Sequence, residues 1–192
     1  MTTKDFQNSM TECLRNVVSE NCEVVSEWVA FNGFQNHYSP RVDIAIGPFS
    51  VSAGQNKIQE YDSLLNHTSI RSLLERIYEF HKQNIGREFE NEIEFNRLER
   101  LIHVNANARC FLAIEIENNN SKKHILGSIV NAASLGRVGI GVAYNDRTLR
   151  TFIRLLNYLG FLKRVGKNTY DTTNFLILTK DQIESILLTI KR

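Results

Sequence analysis

From about residue 3 to residue 31 the apolar positions Phe6, Met10, Cys13, Leu14, Val17, Val18, Val24, Val25, Trp28 and Val29 fall at helical spacing. This predicts one long amphipathic helix ending near Gly33. The period then changes to two in Pro40-Arg-Val-Asp-Ile-Ala-Ile-Gly-Pro48, with Val42, Ile44 and Ile46 on one face and Asp43 and Ala45 on the other. A short strand bounded by prolines is expected there. Between about 57 and 102 the pattern is helical again, through Leu64, Leu65, Ile70, Leu73, Leu74, Ile77 and Tyr78, then Phe89, Ile93, Leu98 and Ile102. It reads as two or three helices inserted between strands.

Arg109-Cys-Phe-Leu-Ala-Ile-Glu-Ile-Glu117 is the strongest strand in the sequence, and Asn118-Asn-Asn-Ser121 ends it. A helix over 122–135, a strand over 138–144 and a helix over 147–159 stopping at Gly160 follow from the same periodicities. Strand, helix, strand over 110–144 implies a parallel crossover. A further strand is expected at 170–178, and Thr179 with Gln182 has the form of a capping box before a last helix carrying Ile183, Ile186, Leu187 and Ile190. The fold class is therefore α/β, a central mixed β-sheet flanked by helices. With 192 residues and no internal repeat, one domain spanning the chain, with the helical insertion at about 57–102, is the economical organisation.

The chemistry is concentrated in three acids. Side chains alternate along a strand, so Glu115 and Glu117 project to one side, about 7 Å apart, while Leu112, Ile114 and Ile116 point into the opposite core. Phe111 and Ala113, which precede the acids on their own face, are apolar, so the carboxylates sit at the strand's end. Ligands of such sheets bind beyond the carboxyl ends of the strands. Asp43 repeats the arrangement between Val42 and Ile44. If the two strands are neighbours, the three carboxylates converge, and their mutual repulsion calls for a cation. Oxygen ligands of this kind suit Mg²⁺ or Mn²⁺.

Asp43 on one strand, a long interval, then Ile114-Glu115-Ile116-Glu117 closing another before a helix resembles the PD-(D/E)XK restriction-endonuclease-like nuclease superfamily. The resemblance covers roughly residues 20–145. It implies a restriction-endonuclease-like sheet and a Mg²⁺-dependent endodeoxyribonuclease, of restriction or defence type, leaving 5′-phosphate and 3′-hydroxyl ends. It assigns Asp43 and Glu115 to the metal, aided by the Ile116 carbonyl, with Glu23 as the upstream helical acid and Glu20 as its rival. The family usually has lysine where this chain has Glu117, an E-x-E variant. Glu117 and Lys122 are then expected to position the attacking water, with Lys123 the substitute if the helix phase differs. The helix following Glu117 also aims its positive N-terminal end at the site, which favours a phosphate.

Charge adds a partner to this picture. The net charge is only +2, but residues 1–100 hold 10 Lys/Arg against 15 Asp/Glu, giving −5, and 101–192 hold 13 against 6, giving +7. Arg147, Arg150 and Arg154 recur at helical spacing as one ridge, followed by Lys163, Arg164 and Lys167, a pattern that neutralises phosphates. DNA is the expected partner, single- or double-stranded, and cutting both strands of a duplex from so small a chain implies a two-fold homodimer. Asn105, Asn107, Arg109 and Asn118 to Asn120 are candidates for reading base edges, or are ordinary loop residues.

Other classes are disfavoured. No run approaches the roughly 18 apolar residues of a membrane span and the N-terminus is polar, so a cytoplasmic protein is expected. Cys13, Cys22 and Cys110 form no CxxC pair and are expected to be reduced core thiols. His37, His67, His81, His103 and His124 lack the spacing of a zinc site. Two other functions remain open: a catalytically inactive nuclease-fold module that binds nucleic acid, or a protein-interaction module docking through its acidic 88–99 segment.

Overall fold

A strand that is apolar on both faces until its last residues belongs inside a sheet, and the 110–117 segment is the middle strand of five. The computed structural model describes residues 2–18, 22–31, 39–52, 55–88 and 97–190. In chain order the elements are α1 (Thr3–Val18), β1 (Val24–Val29), β2 (Arg41–Ile46), α2 (Ile58–Leu64), α3 (Thr68–Glu88), α4 (Leu98–Leu101), β3 (Cys110–Glu117), α5 (Lys122–Leu135), β4 (Gly136–Ala143), α6 (Asp146–Arg164), β5 (Phe175–Thr179) and α7 (Lys180–Ile190). The sheet order is β1-β2-β3-β4-β5. The first three strands pair antiparallel, and β3, β4 and β5 run parallel.

The mixed sheet separates two apolar layers. Ile44, Ile114 and Ile140 pack with Phe6 and Leu14 of α1, Leu73 and Ile77 of α3, and Ile183 and Ile186 of α7. Ala45, Ala113 and Ile177 pack instead with Ile125 and Ile129 of α5 and Phe152 of α6. Small residues let α5 lie close to the sheet: a Cβ at Gly139 would stand 2.8 Å from the main-chain carbon of Ala132. That close approach seats the C-terminal half of α5 on β4.

The expected strand between Pro40 and Pro48 (observed as Arg41–Ile46), the helix over 122–135 and the parallel crossover are all present. The capping box at the start of α7 forms as read: Thr179 N donates to Gln182 Oε1 (2.8 Å) and Gln182 N to Thr179 Oγ1 (3.2 Å). The 57–102 segment contains α2, α3 and α4; Phe89, Ile93 and most of the acidic 88–99 stretch lie outside the described residues.

Two expectations are corrected. The helix at 3–31 ends at Val18, and Val24–Val29 is a strand. Val24, Val25, Trp28 and Val29 satisfy helical spacing, but their β-branched and aromatic character wins once β2 offers a ladder. Gly33 lies outside the described residues. The second correction concerns Gly160, which does not end α6. The helix continues to Arg164, and a glycine inside it costs about 1 kcal/mol relative to alanine without breaking it.

The outer edge of β5 is covered by a helix. His81 Nδ1 of α3 accepts from Ile177 N (3.0 Å), and Asn84 Nδ2 donates to Ile177 O (3.0 Å). Two side chains thus take the place of a sixth strand and block edge-to-edge pairing.

Candidate metal centre and basic groove

The β2–β3 ladder has Ile44 opposite Ile114 as its last pair. One residue further, Asp43 and Glu115 face each other on the same side, where opposed Cβ atoms stand about 5 Å apart. Here regular pairing stops, and the Asp43 Oδ2 atom accepts the hydrogen bond of Ile116 N at 2.7 Å. The carboxylate therefore ends the ladder in place of a main-chain carbonyl. A residue's N–H and C=O leave a strand on the same side, so the Ile116 carbonyl is also directed toward β2.

The same register carries β1 into the group. Trp28 pairs with Val42 and Ser26 with Ile44, which sets Glu27 across from Asp43. Glu27 has φ of +54°, a left-handed conformation that glutamate rarely adopts and that costs of order 1–3 kcal/mol. Its carboxylate is held by Lys4 Nζ (2.9 Å), Gln7 Nε2 (3.0 Å) and Arg41 Nε (3.1 Å). Gln7, buried in α1, donates also to Asp43 O at 2.7 Å, so one amide ties the helix to both strands.

Glu117, at the last position of β3, accepts from Ser128 Oγ of α5 at 2.6 Å. This bond places Glu117 on the α5 side of the sheet, opposite the core that receives Leu112, Ile114 and Ile116, as alternation requires.

Electrostatics mark Glu115 and Asp43 as a stressed pair. Glu115 is only 8 % exposed, and burial, followed by the charges of Asp43, Glu117 and Glu27, raises its pKa well above the ordinary value. Asp43 is raised too, chiefly by burial, with the Ile116 amide opposing and Glu27 and Glu117 adding to the rise. Glu27 goes the other way: its hydrogen bonds from Lys4 and Gln7 hold it below the usual range. A buried carboxylate crowded by three others is short of positive charge.

Among the described residues, no three His, Cys, Asp or Glu side chains are gathered closely enough to hold a metal ion by themselves. The donor set nevertheless fits Mg²⁺, which is usually bound by one or two carboxylates and completed by water and substrate phosphates. Asp43, Glu115 and the Ile116 carbonyl supply hard oxygen donors from two strands.

Not every expected residue lies here. Glu23 does not: its carbonyl accepts from Gly47 N at the far end of β1, about 13 Å along the strand from the level of Asp43 by the usual rise. The acid beside Asp43 is Glu27, which the helical reading of the segment concealed. Glu20 lies outside the described residues.

Lys122 also lies elsewhere. It lines an open groove of about 500 Å³ with Asn120, Asp146, Arg147, Arg150, Thr151 and Arg154. A cation that does act on the carboxylates is Lys4, whose charge is felt by Asp43 and Glu27. Its only sequence signal was its place with Gln7, one turn apart, on the first turns of α1.

The groove opens at the carboxyl ends of β3 and β4, where α5 and α6 begin. Its loops are stitched together: Thr148 Oγ1 donates to Asn120 Oδ1 (2.8 Å) and Asn145 Nδ2 to Asn118 Oδ1 (3.4 Å). Asn119 Oδ1 accepts from Ser121 N (2.9 Å). Arg150 and Arg154 approach Glu88, the last residue of α3, at 3.3 and 3.7 Å. Lys163 pairs with Asp171, while Arg164 is exposed at the end of α6.

Asn105 and Arg109 have partners within the fold: Asn105 Nδ2 donates to the carbonyls of Ala133, Ser134 and Gly136, and Arg109 Nη1 to Ser52 O. Among the described residues no helix is long and apolar enough to cross a membrane, and Cys13, Cys22 and Cys110 are free thiols. No protein-family model, curated protein or solved structure matches the chain.

Proposed function

We propose that this chain is a Mg²⁺-dependent nuclease that hydrolyses DNA phosphodiester bonds, in the manner of the PD-(D/E)XK superfamily that its Asp43 and Ile114-Glu115-Ile116-Glu117 segments resemble. The observation that carries the reading is the apposition of Asp43 and buried Glu115 at the end of the β2–β3 ladder. Asp43, Glu115 and the Ile116 carbonyl would hold the ion. When bound, Mg²⁺ or Mn²⁺ lowers the pKa of a coordinated water and neutralises charge on the phosphate.

The chain's own groups have separate tasks. Glu117, fixed by Ser128, orients the attacking water and takes its proton. Lys4 stands where a cation can balance the carboxylates or meet the scissile phosphate. Lys122 and Arg147, Arg150 and Arg154 bind flanking phosphates in the adjoining groove. Cutting both strands of a duplex would call for a two-fold dimer.

A plasmid-nicking assay with Mg²⁺, Mn²⁺ and EDTA tests this. Cleavage that needs the metal and disappears in Asp43→Asn and Glu115→Gln supports the nuclease. One observation favours a second reading, an inactive nucleic-acid-binding module: Lys4 is already committed to Glu27. Protein that leaves plasmid intact with both metals yet retards it on a gel is such a module.

A further inference from the structure

The outward ridge of α6 does not stop at Arg154. Positions 147, 150, 154, 158, 161 and 165 are separated by three or four residues throughout. At 3.6 residues per turn they stay within about 60° of a single line. Thr148, Leu149, Phe152, Ile153 and Leu159 occupy the opposite, buried face. The ridge therefore reads Arg, Arg, Arg, Tyr, Phe, Val from the groove outward, over about 27 Å of helix. Tyr158 is 51 %, Phe161 49 % and Val165 48 % exposed, among the most exposed large apolar side chains of the described residues.

Arginines continuing into two open aromatic rings on one stripe suit a particular chemistry. In a duplex each base face is covered by its neighbours, and a surface ring meets only sugars, phosphates and base edges. Unpaired bases present their faces, and stacking on an aromatic side chain contributes about 1–3 kcal/mol per base. Cations for the backbone beside rings for the bases are the two halves of a single-strand platform.

We infer that α6 binds a single-stranded segment of nucleic acid, with Arg147, Arg150 and Arg154 on its phosphates and Tyr158 and Phe161 stacked on its bases. This rests on the reading of the Lys122–Arg154 groove as a phosphate contact and narrows it: the ligand is a strand with unpaired bases just beyond the groove, in place of an uninterrupted duplex.

The test is fluorescence anisotropy on the full chain in EDTA, with a labelled oligothymidylate of about 12 nucleotides, a length within the usual single-strand site size, and a duplex of equal length. The wild type binds the single strand more tightly. Tyr158→Ala and Phe161→Ala each weaken that binding about 5- to 160-fold, the range set by one lost stack, and leave duplex binding within about twofold. Phe161→Trp retains affinity, and its indole emission is quenched by the oligonucleotide. Arg150→Ala weakens both ligands alike.

Alanine variants that bind oligothymidylate as the wild type does, or a wild type that prefers the duplex, overturn the inference and leave the nuclease reading standing. A wild type that binds neither ligand at low salt removes the phosphate groove and the inference with it. A dimer in light scattering that Phe161→Ala dissociates without changing oligonucleotide binding shows instead that the ridge covers a second copy of the chain.

Discussion

Asp43 Oδ2 accepts the Ile116 amide at 2.7 Å across the point where the β2–β3 ladder ends. A side chain here completes the main-chain pairing of a buried strand, so Asp43 has a structural duty besides any ligand it holds. Asp43→Ala leaves a buried N–H unpaired and is expected to cost about 1–3 kcal/mol. Asp43→Asn, which keeps an acceptor oxygen, should unfold in urea near the wild-type midpoint. Both variants should lose cleavage, so the pair separates the two duties.

Glu115 gives a prediction of opposite sign. Its folded pKa is raised, so the folded chain binds more protons than the unfolded one and stability falls as pH rises through the folded value. Glu115→Gln removes this penalty. In metal-free buffer near pH 8 its Tm should exceed the wild-type value, by about 2–4 °C for each kcal/mol relieved. Addition of Mg²⁺ should raise the wild-type Tm and leave that of Glu115→Gln unchanged. A variant that melts below the wild type in EDTA would show that the carboxylate is structurally satisfied without a cation.

Acid should act first on the edge of β5. His81 is buried, which depresses its pKa to about 4 from the ordinary 6.5, and its Nδ1 must stay unprotonated to accept from Ile177. For a basic group with a lowered folded pKa the unfolded state binds the extra proton. Stability from His81 is therefore complete above about pH 6.5 and is lost progressively as pH falls toward 4. Glu115 and Asp43 contribute in the opposite sense, so the His81 limb is best isolated in the Glu115→Gln background. There, chemical denaturation from pH 7 to 4.5 should show falling stability, and His81→Gln should flatten the curve.

The basic groove carries its own internal competitor. Glu88 lies on Arg150 and Arg154, occupying guanidinium groups that a phosphate would need. Arg150→Ala should weaken DNA binding and make the slope of log K against log salt shallower by about 0.9 for B-DNA or about 0.7 for a single strand. Glu88→Gln should strengthen binding about twofold or more, because an exposed ion pair of this kind is worth up to about 1 kcal/mol. Unchanged affinity and slope in both variants would return the ridge to solvent.

Much of this was legible in the chain. The β3–α5–β4 unit is unambiguous because each change of period coincides with a polar break, and the capping box at Thr179 and Gln182 is a local rule that tertiary contacts had no reason to override. The adjacency of Asp43 and Glu115 was conditional in the sequence: two strands with acids at matching ends bring them together only if β2 and β3 are neighbours, and the pairing of those strands decides that. Glu27 was hidden because Val24-Val25 and Trp28-Val29 fit a helix as well as a strand, and only pairing with β2 decides between them. Lys4 and Gln7 were hidden for another reason: helical periodicity shows which face of α1 is buried, and not which strand end its first turns will meet. Lys122 begins the helix that periodicity predicts, but side-chain reach across a loop is set by how α5 and α6 sit together, which spacing within one helix does not contain.

The most direct measurement is a crystal grown or soaked with millimolar Mn²⁺ and examined for anomalous scattering. The account predicts a peak bonded to carboxylate oxygens of both Asp43 and Glu115, with the Ile116 carbonyl in its shell, that is absent from Glu115→Gln crystals. Density at those side chains that is well ordered and free of any anomalous peak would contradict it.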